Sequence, residues 1–153
     1  KNFGDDLVLG ENPVMAVAEA DEFDRSFLTL HPSVAIVTSM DADHLDIYGT
    51  HENLIDAFRQ YAHQAKILII ENSIAEKVGH PNKRVYGTNP EADYYAYNIS
   101  LAPNKAIFDL RTPSTTFHNL QLCANGLYNI LNATAAIMQL TLAISSQPST
   151  NTA

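Results

Sequence analysis

The sequence predicts an α/β fold, a mostly parallel sheet flanked by helices with an antiparallel hairpin region appended. Three observations carry that prediction. Residues 13–70 alternate short apolar runs with a helical repeat, the rhythm of parallel strands joined by crossovers. Beyond residue 83 the runs become short, aromatic or β-branched and are separated by turn residues, as in antiparallel hairpins. From Asn129 to about Ile144 the chain is rich in Ala and Leu at helical spacing.

Each element has its own signal. Val14-Met15-Ala16-Val17-Ala18 and Val34-Ala35-Ile36-Val37-Thr38 read as buried strands. Thr50 is an N-cap for a helix over His51–His63, where Leu54, Ile55, Phe58, Tyr61 and Ala62 fall on one face. Lys66–Ile70 reads as a third buried strand, and a short helix around Ile74–Val78 ends at Gly79 with Pro81 close behind. Arg84–Gly87, Ala92–Leu101, Ala106–Leu110 and Thr115–Leu122 read as hairpin strands, punctuated by Ala102-Pro103-Asn104 and Thr112-Pro113-Ser114. Residues 1–144 form one domain on this reading. Residues 145–153, built from Ser, Gln, Pro, Thr and Asn, are a flexible tail.

Composition narrows the function. The 153 residues are 46% hydrophobic, enough to fill the core of one ordinary domain. A formal charge of −8 with only 9 scattered basic residues argues against a nucleic-acid surface. The lone Cys123 forms no internal disulfide and reads as a small buried hydrophobe. No run has the length of a membrane span and the start lacks a secretory pattern, so a cytoplasmic protein without membrane partners is expected. The chain begins at Lys1 rather than Met, the mark expected of a piece of something longer.

The chemistry concentrates in three segments. Glu19 follows the first apolar run directly, where a strand emerges at the edge of a parallel sheet and ligands bind. A carboxylate there suits Mg²⁺, which takes one or two protein carboxylates and leaves its other positions to water and phosphates. Asp21, Glu22 and Asp24 read as a solvated acidic loop with Arg25 as local ion partner. After the second strand, His44 stands between Asp43 and Asp46, which can hold its ring and raise its basicity as outer partners of a ligand. Imidazole suits Mn²⁺ better than Mg²⁺. A hydrogen-bonded structural histidine fits the same spacing, and both readings stand. His31, His51, His63, His80 and His118 show no ligand spacing and read as structural or exposed.

Asn129 and Asn132, three apart at the opening of the last helix, share a face from which amides can read a purine edge or orient a phosphate. Spacing alone favours the simpler assignment, a helix cap and a tolerated polar residue. No Gly-rich phosphate loop and no hydrolase nucleophile motif is present in these residues.

Taken in order, Glu19–Leu28, Asp41–Gly49 and Gly126–Asn132 with Ala133-Thr134-Ala135-Ala136 resemble the central domain of the Mur ligases, ATP-dependent enzymes that build the peptide stem of peptidoglycan. The resemblance runs from about residue 13 to 140. It implies an incomplete P-loop-NTPase-like domain lacking its first strand, phosphate loop and following helix. By that likeness Glu19 and His44 are metal ligands for Mg²⁺ or Mn²⁺, Asp43 and Asp46 support them, and Asn129 and Asn132 lie near ATP. Tyr128 departs from the family, which usually has His there. The two acidic segments resemble most the member that joins L-alanine to UDP-N-acetylmuramate through an acyl phosphate. The alternatives are the member that recycles an intact tripeptide onto the same nucleotide sugar, and a non-catalytic binding domain on the same scaffold. A simple metal hydrolase needs more ligands than Glu19 and His44 supply. Alone, the chain is expected to be inactive and, with a parallel sheet open at one edge, prone to self-association.

Overall fold

A computed structural model of the chain describes residues 16–42 and 45–145. Its elements are β1 (Val34–Val37), α1 (Leu45–Tyr48), α2 (His51–Gln64), β2 (Ile67–Glu71), β3 (Lys83–Gly87), β4 (Tyr94–Ala102), β5 (Lys105–Arg111), β6 (Thr116–Leu122) and α3 (Leu127–Ser145). Single 3₁₀ turns lie at Ser26–Thr29 and Ala75–Lys77.

The strands form one six-stranded sheet in sequence order. β1 to β4 run parallel, and β4, β5 and β6 antiparallel. Each prediction for β1, α2 and β2 holds within a residue or two. Thr50 caps α2 as expected, its hydroxyl accepting from the Asn53 amide at 3.2 Å.

The expected hairpin character of Arg84–Gly87 is corrected. β3 pairs parallel with β2 from Leu68↔Lys83 to Glu71↔Tyr86, and β4 pairs parallel with β3. A parallel crossover ordinarily needs a dozen residues, because the chain must return the length of a strand. Here only Tyr86↔Tyr94 and Gly87↔Tyr95 pair, so β4 starts beside the end of β3 and little return is needed. Asp93 pins the junction by accepting from the Val85 amide at 2.8 Å. The antiparallel part therefore projects beyond the carboxyl edge of β1–β3. Its hairpin turn is Pro103-Asn104, with Asn104 at φ 56°, the left-handed position Asn tolerates.

The expected first strand is corrected as well. Val14 and Met15 lie outside the described residues, and Ala16, Val17 and Ala18 are exposed and belong to no strand. β1 is the outermost strand among the described residues, and no ladder partner holds 16–18 against it. Cys123, expected to be buried, is exposed just past β6.

Two apolar clusters lie on opposite faces of the sheet. Ala35, Val37, Leu68 and Ile70 pack under α2 with Phe27 and Met40. Ile69, Tyr86, Phe108 and Leu110 pack under α3 with Ile130, Ala135 and Met138. The strand alternation divides β1 and β2 between the two layers.

Asp109 organises the antiparallel part. Its carboxylate accepts from the Asn119 amide and the Asn98 side chain, each at 2.8 Å, and from His118 Nδ1 at 3.3 Å. Asn98 and Asn119 adopt φ of 50° and 53° where the ladders on either side of β5 slip register. The Asn119 amide, then Asn98 and His118, hold the Asp109 carboxyl below its ordinary value of 3.8. The unfolded chain therefore binds the proton more readily. Stability from this carboxylate is complete above 3.8 and is lost as pH falls through the lower folded value. Thermal melts at neutral pH and below 3.8 should show a smaller acid-induced drop in Asp109→Asn than in the natural chain.

Candidate functional site

Glu19 lines a cleft of about 690 Å³ beside β1, together with Glu22, Thr38, Ser39 and Asp41. The cleft floor is apolar, with Val34 and Ile36 of β1 and Leu54 and Phe58 of α2. The acidic segment after the first apolar run and the polar exit of β1 thus share one edge, as the sequence predicts.

Local chemistry shapes each segment. Asp21 Oδ1 accepts from the Phe23 amide at 2.9 Å, and Asp24 Oδ1 from the Ser26 amide at 2.8 Å. These are aspartate-capped turns, and the Ser26 hydrogen bonds hold the Asp24 carboxyl below its ordinary value. Phe27, 1% exposed, anchors the segment on α2 against Phe58 and Tyr61, ring centroids 5.5 and 5.1 Å away. Gln64 adds a hydrogen bond to Leu28 O at 2.8 Å.

The second segment is tied at both ends. Met40 is buried, and His51 Nε2 donates to its carbonyl at 2.9 Å. Ser39 Oγ donates to Asp41 Oδ2 at 2.6 Å and accepts from the Asp41 amide at 3.1 Å. Asn53 Nδ2 donates to Tyr48 O at 2.8 Å. Asp46 is exposed in the first turn of α1. Asp43 and His44 lie outside the described residues.

The segments also touch. Tyr48 Oη donates to Glu22 O at 2.6 Å, and burial pushes its phenol up. The Arg25 guanidinium lies 4.8 Å from the Tyr48 ring centroid and donates to Ile47 O at 3.3 Å. Arg25, expected to serve its acidic neighbours, makes these described contacts with the other segment.

Asn129 and Asn132 do not line the cleft. Asn129 lies inside the first turn of α3, and its side-chain Nδ2 donates back to Asn125 O at 2.7 Å, so it is not the N-cap. Asn132 is exposed on the same turn-face. α3 opens on the carboxyl side of the sheet and reaches the cleft only further along, through Gln139.

Among the described residues no three His, Cys, Asp or Glu side chains come together as a metal cluster. The donors on the cleft include the carboxylates of Glu19, Glu22 and Asp41 and the hydroxyls of Thr38 and Ser39, alongside the His31 ring and the Gln139 amide, and the oxygens among them fit a hard cation such as Mg²⁺ or Mn²⁺. Sequence reasoning passed over Thr38 and Ser39. The readable signal was a Ser two residues before an Asp at a strand exit, a spacing that closes a side-chain turn.

A family description, the Mur ligase middle domain, matches residues 9–140. The chain belongs to the Mur ligase family. Two relatives, each named UDP-N-acetylmuramate–L-alanine ligase, are similar to this middle domain over most of its length. The one from Christiangramia forsetii is 46% identical over 128 residues, covering 80% of this chain and 27% of the relative. The one from Flavobacterium johnsoniae is 39% identical over 141 residues, covering 90% and 30%. The chain thus spans about three-tenths of the length of these relatives. The crystal structure of UDP-N-acetylmuramate-alanine ligase MurC from Thermotoga maritima shares the fold, with a TM-score of 0.65 at 20% identity over 81% of this chain and 29% of that one.

Proposed function

We propose that this Mur middle domain is the nucleotide and metal centre of an ATP-dependent ligase that joins L-alanine to UDP-N-acetylmuramate in peptidoglycan synthesis. The observation that carries the reading is the likeness to relatives of that name over most of this chain, within a family match to residues 9–140 that includes the cleft. Glu19, with His44 from the neighbouring loop, would hold Mg²⁺ or Mn²⁺. When bound, such an ion offsets negative charge on a transferring phosphoryl group.

The chemistry asks for positioning more than for a protein nucleophile. A carboxylate oxygen of the nucleotide sugar attacks the γ-phosphorus of ATP, the bond to the bridging oxygen breaks, and ADP leaves. The L-alanine amine then attacks the acyl-phosphate carbon, losing a proton, and inorganic phosphate leaves. Glu19 and Asp41 border the edge where the phosphates would lie, Asp43 and Asp46 would support the His44 ring, and Asn129 and Asn132 would face the nucleotide from the start of α3. A metal-bound His44 cannot also serve as general base.

The setting is the cytoplasm, where ATP and the nucleotide sugar are made. No helix among the described residues is long and apolar enough to cross a membrane. The isolated 153-residue chain is expected to turn over no ATP. It is also expected to self-associate, since β1 is outermost among the described residues and Ile36 is 37% exposed. Sedimentation independent of concentration would contradict that.

The test of the activity is ADP release by the parent protein given ATP, UDP-N-acetylmuramate and single amino acids or a tripeptide. Release dependent on L-alanine supports the reading. Release dependent on the tripeptide assigns the recycling ligase, and none with either assigns a binding domain.

A further inference from the structure

We infer that the α3 side of this domain is an internal interface, covered in the parent protein by an apolar segment from outside residues 9–140. That holds whatever reaction the parent carries out.

The two helix layers of the sheet differ. α2 is an ordinary surface helix, with Leu54, Ile55 and Tyr61 buried and Glu52, Asp56 and Gln60 exposed. α3 is not. It buries Ile130, Thr134, Ala135 and Met138 on the sheet, yet none of its 19 residues is Asp, Glu, Lys or Arg, in a chain that is 17% charged. Its outward positions include Ala136, which is exposed, and Leu140, which is 54% exposed. A helix without a charged face is the kind found between two layers, and each large apolar side chain left in water forgoes about 2 kcal/mol of burial.

The sheet beside α3 is open as well. α3 lies across β2 to β5. Phe117 on β6 stands opposite Leu110, and Leu101 on β4 stands opposite Ala106. Leu110 and Ala106 are fully buried in the cluster under α3, and directly opposed residues of antiparallel strands share a face. Phe117 and Leu101 therefore lie on the α3 side, where they are 40% and 48% exposed. One helix about 10 Å wide is narrower than six strands ~4.8 Å apart, so α3 leaves room for a further element next to it.

The cover has to be apolar. Residues 146–153 hold no Val, Leu, Ile, Met or aromatic side chain, so they do not supply it. The chain spans 27% and 30% of two relatives that it matches, and most of a polypeptide of that kind lies outside it. A segment of the same polypeptide meets the face at an effective concentration in the millimolar range, far above that of a second copy in dilute solution. Each copy also carries a formal charge of −8, which opposes pairing. The parent's own chain is the favoured occupant.

The test is hydroxyl-radical footprinting read by mass spectrometry, on the parent protein and on the 153-residue chain, each at two concentrations. Phe108, buried in the core, is the reference for the folded state. Leu101, Phe117 and Leu140 should be oxidised at least about 5-fold more slowly in the parent at both concentrations, as befits the desolvated core of an interface. Leu140→Lys should lower the melting temperature of the parent and leave that of the chain unchanged. Equal oxidation of Phe117 and Leu140 in the two proteins, or a Leu140→Lys parent that melts as the natural one does, would overturn the inference. Protection that grows with protein concentration would overturn it too, and would assign the face to a second copy.

Discussion

Phe27→Ala is expected to lower stability by about 4 kcal/mol, the usual cost of emptying a buried aromatic site. Phe27 is 1% exposed and packs edge-on against Phe58 and at a tilt against Tyr61, within the cluster under α2. It sits in the 3₁₀ turn Ser26–Thr29, so its loss leaves the preceding acidic segment with fewer holds on the helix. A domain of this size is stable by only about 5–15 kcal/mol, so a loss of this scale approaches global unfolding. Urea unfolding should show the loss, and amide exchange should show residues 16–28 opening before β2. A change below about 1 kcal/mol would mean that the turn is held chiefly by its own hydrogen bonds.

Gly87→Ala is expected to cost about 3 kcal/mol. At φ +153° the residue occupies backbone space that side chains rarely enter. An added Cβ would stand 1.6 Å from Asn72 Oδ1, 2.6 Å from Asn72 Cγ and 2.9 Å from Glu71 Oε1. Asn72 could turn away, but its Oδ1 accepts from the Thr88 amide at 2.9 Å, and that amide would lose its partner. Glu71 is held in turn by the Ser73 amide at 2.8 Å and by the Ser73 hydroxyl. The double variant Gly87→Ala with Asn72→Ala separates the causes. Recovery of about half the loss assigns it to the clash, and no recovery assigns it to the backbone.

What was legible in the sequence was what local rules control. The apolar runs of β1 and β2, the Thr50 cap and the Pro103-Asn104 turn each declare themselves within a few residues. β3 was misread because parallel and antiparallel strands share one composition, and only the offset start of β4 decides between them. Ala16–Ala18 failed as a strand because an apolar run needs a partner, which sequence pattern does not supply. The register slips beside Asp109 depend on one carboxylate joining two strands, a contact without a sequence signal.

The site divides along the same line. Glu19 is singled out by its position after an apolar run, which sequence makes readable, and the structure places it on the rim of the cleft. Asn129 and Asn132 are singled out by the family resemblance, since their spacing alone favours a helix cap and a tolerated polar residue, and neither lines the cleft that Glu19 borders. The ties between Arg25, Tyr48 and Glu22 were invisible in sequence, since they span more than twenty residues.

The edge bearing Glu19 is proposed to serve metal-assisted phosphoryl transfer in an L-alanine ligase. The most direct test of that role is ADP release by the parent protein with ATP, Mg²⁺, UDP-N-acetylmuramate and L-alanine, comparing the natural protein with Glu19→Gln. L-alanine-dependent release is expected, falling about 100-fold in the variant, equivalent to ~3 kcal/mol of lost charge stabilisation. Undiminished release by Glu19→Gln, or release indifferent to L-alanine, would contradict it.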